Sequence, residues 1–302
     1  MRSTHRRPAA LAMGLALAAT TAAGCSSSSA EEPDESDSTI TFATTPLSDD
    51  PTVENPVEAF TELLEEETGR TVEVIDVPDY LSVVEAIRTD HVDIGIMSGF
   101  PSALAVNTGE VDALVAWPGN GEPVSTCMVL ADSPYREVAD FEGQKLAMAD
   151  QASSSGYFMP VQMLDAAGLT KDEDYEIVFA GGHDGAMLAL KNGDVAAACT
   201  STMLPPLSIQ WGIFAEGDFR TVGESDDMAV SMSVLGSQEL DTETRELLEK
   251  AIPEVFSAKN AGRLGVLMQG MEGAAMVAPD DDIFSPIADV ARLAGADISD
   301  LE

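Results

Sequence analysis

Apolar residues recur along the chain in two alternating rhythms. Residues 39–43 read as a strand, closed by Thr44-Thr45-Pro46. Over 56–67, Val57, Phe60, Leu63 and Leu64 return on one face of a helix, which Gly69 stops. Residues 71–75 alternate as a second strand. Asp79 offers an N-cap for a helix to Ile87 whose inner face carries Leu81, Val84 and Ile87. A short buried strand follows at 92–97, a helix from 102, and a strand at 113–117. This β-α-β-α-β order predicts a mostly parallel sheet with helices on its faces.

The rhythm restarts near Ser125. Strands are expected at 126–130, 145–148, 175–179 and 195–200, with helices at 157–167 and 184–191. Beyond Pro205 the pattern gives one more strand, 228–234, and helices at 241–255 and 282–293. The expected fold is therefore α/β and two-lobed. Residues 39–124 and 205–302 form the first lobe, and 125–204 form a second lobe inserted into it. Open parallel sheets take ligands outside the carboxyl ends of their strands. Two such sheets facing one another form a cleft, and closure around a ligand is a hinge motion.

The N-terminus changes the picture of where this fold works. Arg2, Arg6 and Arg7 precede an apolar stretch over 8–23 that is too short for a comfortable membrane span but suits a signal peptide. It ends in Ala22-Ala23-Gly24-Cys25, small residues before a thiol that must be reached for acylation. Residues 1–24 are expected to be a lipoprotein signal peptide and Cys25 the lipidation site, with a plain secretory signal as the alternative. Residues 25–38 are Ser/Glu/Asp-rich, have nothing to bury, and read as a flexible tether. A two-chain anchor at Cys25 would hold the protein stably at the cell membrane, on its outer side. No later stretch is long and apolar enough to cross a bilayer.

Charge narrows the partners. The chain has 53 acidic residues against 15 basic, and three of the basic ones lie in the signal segment. Such a surface repels nucleic acid, which excludes that class of partner, and it suits a salty medium where charges are screened. Beyond Cys25 only Cys127 and Cys199 remain. In an oxidising compartment they either form a disulfide or sit as two buried thiols in their apolar strands. Two cysteines without a local histidine make no metal site, and no nucleotide or cofactor motif appears.

The candidate chemistry lies in strand-to-helix turns. Ser153-Ser154-Ser155-Gly156 follows a strand and opens a helix, whose first N–H groups have no internal partner and carry the positive end of the dipole. Three hydroxyls there make an anion site, where an ordinary N-cap needs one serine. Gly181-Gly182-His183-Asp184 is a second such turn, and His183 can donate to an anion with a charge expected to respond near neutral pH. Tyr80, Thr45 and the Ser98-Gly99 turn stand at strand ends of the first lobe and are candidate contacts. No Gly-x-Ser-x-Gly element supports a serine hydrolase, so catalysis is not expected.

Taken together, the chain resembles the phosphate/phosphite/phosphonate-binding lipoproteins of ABC importers, within the periplasmic-binding-protein superfamily. The likeness rests on Asp79-Tyr80, Val92-Asp93-Ile94, Phe141-Glu142-Gly143-Gln144-Lys145, Ser153-Ser154-Ser155-Gly156-Tyr157 with Pro160, and Gly182-His183-Asp184 with Asn192-Gly193-Asp194-Val195. It implies a hinged type II fold, a small oxyanion held by Ser153, Ser154, Ser155, His183 and Tyr80, permease subunits as partners, a monomer, and no cofactor. A membrane sensor, or a binder of another anion such as a sulfonate, is the alternative. Aminophosphonate binders of this kind carry an acidic residue where this chain has Thr200-Ser201-Thr202-Met203, so an ammonium-bearing ligand is not expected. Asp194-Val195-Ala196 and Ser98-Gly99-Phe100 also depart from the family pattern.

Overall fold

The computed structural model describes residues 39–45, 56–268, 271 and 273–295, so the signal segment, Cys25 and the tether lie outside the described residues. The first sheet takes β1 (Thr39–Thr44), β2 (Thr71–Asp76), β3 (Ile94–Ser98) and β4 (Val111–Pro118). The second takes β5 (Ser125–Leu130), β6 (Lys145–Met148), β7 (Glu176–Phe179), β8 (Ala197–Ser201) and β9 (Phe219–Val222). The chain then returns to the first sheet through β10 (Val230–Ser237) and β11 (Met276–Val277). The helices are α1 (Pro56–Thr68), α2 (Tyr80–Arg88), α3 (Gly99–Asn107), α4 (Met159–Ala166), α5 (His183–Asn192), α6 (Leu204–Gln210), α7 (Thr242–Val255), α8 (Ala261–Leu264) and α9 (Ile287–Leu293).

Both sheets are mixed, where the pattern predicts mostly parallel ones. The first runs β11-β4-β10-β3-β1-β2. β1 is parallel to β2 and β3, but β10 re-enters from the other lobe and lies antiparallel between β3 and β4, with Val234 facing both Ile96 and Val115. The second runs β7-β6-β8-β5-β9, with β5 and β9 antiparallel at one side. β9 carries the second sheet to Val222, past the 125–204 range read from the pattern. It has four residues, two of them the polar Arg220 and Thr221, so no alternation marks it. α6, seven residues opened by prolines, is equally short of periodic signal. The helix expected at 282–293 splits into a 3₁₀ turn, Asp281–Phe284, and α9.

Two segments, 119–124 and 223–229, pass between the sheets and are tied to each other. The Ser125 N–H donates to Ser225 Oγ (3.1 Å), the Ser225 N–H to the Ser125 carbonyl (2.9 Å), and the Gly121 N–H to Asp227 Oδ2 (2.7 Å). One apolar core fills the outer face of the first sheet, around Phe42, Phe60, Leu64, Trp117 and Ile252. Another runs through both lobes, because Phe100 of α3 stacks on Phe158 with centroids 4.2 Å apart and planes 4° from parallel. Such a pair adds about 0.5–1.5 kcal/mol beyond its burial. α9 joins this core through Ile287 and Ala291, packing on α3 of the first lobe and α4 of the second. The Tyr157 hydroxyl donates to the Ala294 carbonyl just past α9 (2.8 Å). Cys127 and Cys199 sit directly opposite in the β5/β8 register, fully buried, and are joined as a disulfide.

Candidate functional site

The cleft between the lobes holds a cavity of about 360 Å³, walled by residues from both. Six of the residues singled out by sequence meet there: Thr45, Tyr80 and Ser98 from the first lobe, and Ser154, Ser155 and His183 from the second. Ser153 and Gly99 do not line it. Both stand one layer behind, for different reasons.

The serine turn is built as an N-cap. Ser153 is extended (φ −71°, ψ 125°), and its Oγ accepts the Gly156 N–H at 3.1 Å. A wide turn, Ser154–Phe158, then feeds α4. Ser153 is buried, its side chain occupied with the cap and with the Tyr80 hydroxyl, which is hydrogen-bonded to both Thr45 and Ser153. Ser154 works across the cleft. Its hydroxyl donates to Ser98 Oγ (2.8 Å) and accepts the Phe100 N–H (2.9 Å), so a second-lobe side chain caps the first turn of α3. Ser98 accepts from Ser154 and keeps its own O–H to donate. Ser125 Oγ holds the Ser155 carbonyl at 2.7 Å, which fixes the turn on β5.

Gly99 stands behind the wall for a steric reason. A Cβ on it would lie 2.2 Å from the Val230 carbonyl oxygen, so glycine is there to let α3 press against β10. Gly156 plays the same part in the second lobe: a Cβ would stand 2.4 Å from Ala149 Cβ and 2.9 Å from both His183 Cε1 and Ser153 Oγ. Through that gap the serine turn and the histidine turn lie against each other.

His183 opens α5, with Gly182 extended at its N-cap. Its Nδ1 lies 2.8 Å from Thr200 Oγ1 on β8, a fully buried hydroxyl. When Thr200 donates to Nδ1, the ring proton sits on Nε2 and is available as a donor. Burial lowers the imidazole pKa to about 4, against a small opposing pull from Asp184. The ring is therefore neutral at neutral pH, which corrects the expectation of a charge responding there. Burial likewise raises the Tyr80 phenol above its ordinary range, so it stays a hydroxyl. Asp150 beneath the turn is also pushed up, chiefly by burial; the Ala152 N–H pulls it back and the charge of Asp79 adds to the rise.

The wall includes residues the sequence did not single out. Asn120, Ser201, Thr202 and Ser231 add polar groups to Thr44 of the strand-end Thr44-Thr45 pair, and Glu122 and Asp227 reach it from the crossover segments. Polar crossover residues carry no periodic signal, which is why they escape a reading of the chain. Among the described lining residues there is no Lys or Arg. No cluster of three or more His, Cys, Asp or Glu fit to hold a metal occurs among the described residues, and none of their helices is long and apolar enough to cross a membrane. The site can offer an anion hydroxyls, amide N–H groups at two helix starts and a neutral imidazole.

A family model described as ABC transporter, phosphonate, periplasmic substrate-binding protein matches residues 42–282. The chain belongs to that family. It is a substrate-binding component of transport, and the family works outside the cytoplasm. Among curated relatives, this binding protein is 29% identical over 255 residues to the phosphate-import protein PhnD of Mycolicibacterium smegmatis, covering 78% of this chain and 79% of the relative. Among solved structures, the binding-protein component of an ABC phosphonate transporter from Pseudomonas aeruginosa superposes with a TM-score of 0.71 at 18% identity, covering 85% of this chain and 86% of that one. PhnD1 of Prochlorococcus marinus, solved with methylphosphonate, gives a TM-score of 0.68 at 14% identity, covering 84% and 97%. These likenesses show a type II periplasmic-binding-protein fold.

Proposed function

We propose that this binding protein captures a small phosphorus oxyanion (phosphite, phosphate or a phosphonate) in the interlobe cavity and presents it to the permease of an ABC importer. The observation that carries the reading is the donor set. Thr45, Tyr80, Ser98, Ser155 and His183 gather neutral hydrogen-bond donors around a helix start, without a fixed cation among the described lining residues. Thr45 and Tyr80 are bonded to each other and can offer at most one free O–H between them. That donor and the others can each meet an oxygen of a tetrahedral anion, and charge-assisted bonds of this kind are about twice as strong as neutral ones. Ser153 supports this seat by holding the turn and Tyr80. The names of the relatives, a phosphate importer and a methylphosphonate complex, agree with it.

The protein works as a monomer at the outer face of the membrane. Residues 1–24 direct export, Cys25 carries the lipid, and 25–38 give the folded part reach. The Cys25→Ala variant then moves from the membrane fraction to the soluble one. Calorimetric titration with phosphate, phosphite, methylphosphonate and methanesulfonate tests the ligand. Binding of at least one phosphorus oxyanion, weakened ten-fold or more in Ser98→Ala and His183→Ala, is the expected result. Affinity unchanged in both variants overturns the seat; methanesulfonate alone binding overturns the ligand class.

A further inference from the structure

Thr200 is absent from the cavity wall, yet it touches a residue that the wall presents. It is fully buried on β8, and its neighbour Ser201 lines the cavity instead. Among the described residues the Thr200 hydroxyl has one partner, His183 Nδ1 at 2.8 Å. Its cross-strand neighbour Thr126 sends its own hydroxyl away, to the Gly223 carbonyl at 2.6 Å. The Thr200 carbonyl takes the Ser125 hydroxyl at 3.1 Å.

That one contact decides between two forms of the ring. A neutral imidazole bears one N–H and one bare nitrogen, and His183 is neutral at neutral pH. With the proton on Nδ1, the ring would donate to Thr200 Oγ1, and the threonine O–H would be left buried without an acceptor. With the proton on Nε2, Thr200 donates to the bare Nδ1 and no donor is stranded. A buried donor without a partner shifts such an equilibrium about ten-fold or more. The contact also sets which way the ring faces. Turning the ring over would exchange Nδ1 with Cδ2 and Nε2 with Cε1, and would set a carbon against the threonine. In the observed orientation Cε1 lies toward Gly156, where a Cβ would stand 2.9 Å away. Nε2, the ring's remaining polar atom, has no protein partner among the described residues, and His183 lines the cavity. A bare Nε2 there would repel a seated anion, whereas Nε2–H donates to it.

We infer that Thr200 is a positioning residue of the anion seat: its O–H, given to Nδ1, holds His183 as the Nε2–H tautomer with that N–H turned to the cavity. The inference deepens the reading proposed above, because it names what makes His183 a donor there rather than an acceptor. Thr200 acts through the ring and does not meet the ligand. A serine in its place keeps the hydroxyl. A valine keeps the branched shape that suits a strand and loses the donor.

The tautomer can be read in the full chain without any ligand, by side-chain nitrogen NMR of histidine-labelled protein at neutral pH, with His183→Gln identifying the His183 signals. The parent and Thr200→Ser should show one tautomer, protonated at Nε2. Thr200→Val should move toward the two-tautomer mixture of free imidazole. A parent ring protonated at Nδ1, or a Thr200→Val spectrum identical to the parent's, overturns the inference whatever the protein binds. Calorimetric titration with phosphate and with methylphosphonate then reads the consequence. Thr200→Val should weaken the tighter of the two by about five-fold or more, with Thr200→Ser within about two-fold of the parent. In a His183→Ala background the same valine should cost less than about two-fold, because a residue acting through a partner loses its effect with that partner. An equal loss in both backgrounds makes Thr200 merely structural and overturns the inference. Affinity unchanged by His183→Ala, or no binding of either anion, overturns the seat and with it the role of Thr200 there, while the ligand-free spectrum still reports whether Thr200 fixes the ring.

Discussion

Replacing Gly156 with alanine sets two physical effects against each other, and the structure decides the sign. The backbone of Gly156 is not in the left-handed region, so alanine meets no conformational penalty, and helix propensity alone favours it by about 1 kcal/mol. The new methyl, however, would stand 2.4 Å from Ala149 Cβ, with His183 Cε1 and Ser153 Oγ each at 2.9 Å. Ala149 has no side chain to swing away, and its N–H already donates to the Gly156 carbonyl at 3.0 Å, so the segments cannot part without losing that bond. Overpacking of this kind costs about 1–3 kcal/mol, and the anchored neighbour puts it at the upper end. The net expectation is a loss of about 2 kcal/mol, read as a lower urea midpoint at unchanged slope. Anion affinity should drop ten-fold or more, because the methyl pushes the histidine away from the serine turn. Ala149→Gly in the same chain removes the shortest contact and should recover part of both losses. A Gly156→Ala protein as stable as the parent, or more so, and binding as well, refutes the claim that the two turns share this contact.

Three further outcomes follow from the same geometry. The His183 pKa is about 4 in the fold against about 6.5 unfolded, so the fold prefers the neutral ring; this contribution is complete above pH 6.5 and is lost as pH falls toward 4, by about 3 kcal/mol, a window that His183→Gln should flatten in pH-dependent denaturation. The Cys127–Cys199 bond spans 72 residues, so Cys127→Ala/Cys199→Ala should unfold about 4 kcal/mol more easily in urea by the loop-entropy estimate. Ser154→Ala removes both the bond to Ser98 and the acceptor for the Phe100 N–H, and should open the lobes measurably in small-angle scattering while weakening anion binding about ten-fold.

What could be read from the chain depended on repetition. α1, α2 and α7 carry enough apolar returns to be seen, as do the β-α-β runs of each lobe. The antiparallel seat of β10 could not be seen, because an apolar run looks alike in either direction and only the path through the second lobe sets its polarity. The Ser153–Gly156 and Gly182–Asp184 turns were legible because small polar residues between a strand and a helix neither extend the strand nor favour the helix interior. The division of labour inside them was not. That Ser154 caps α3 in the opposite lobe, or that Gly99 serves β10, depends on contacts more than fifty residues apart. The neutrality of His183 was equally hidden, since the residue type promises a titration that only its burial cancels.

The proposed grip, made of dipoles, also bears on how a cargo is let go. An arginine or lysine in the same place would be left facing solvent with its full charge once the lobes parted, and would hold the departing anion nearby. Hydroxyls, amides and a neutral ring return to water at little cost, so opening the cleft by itself can discharge the load into a waiting channel.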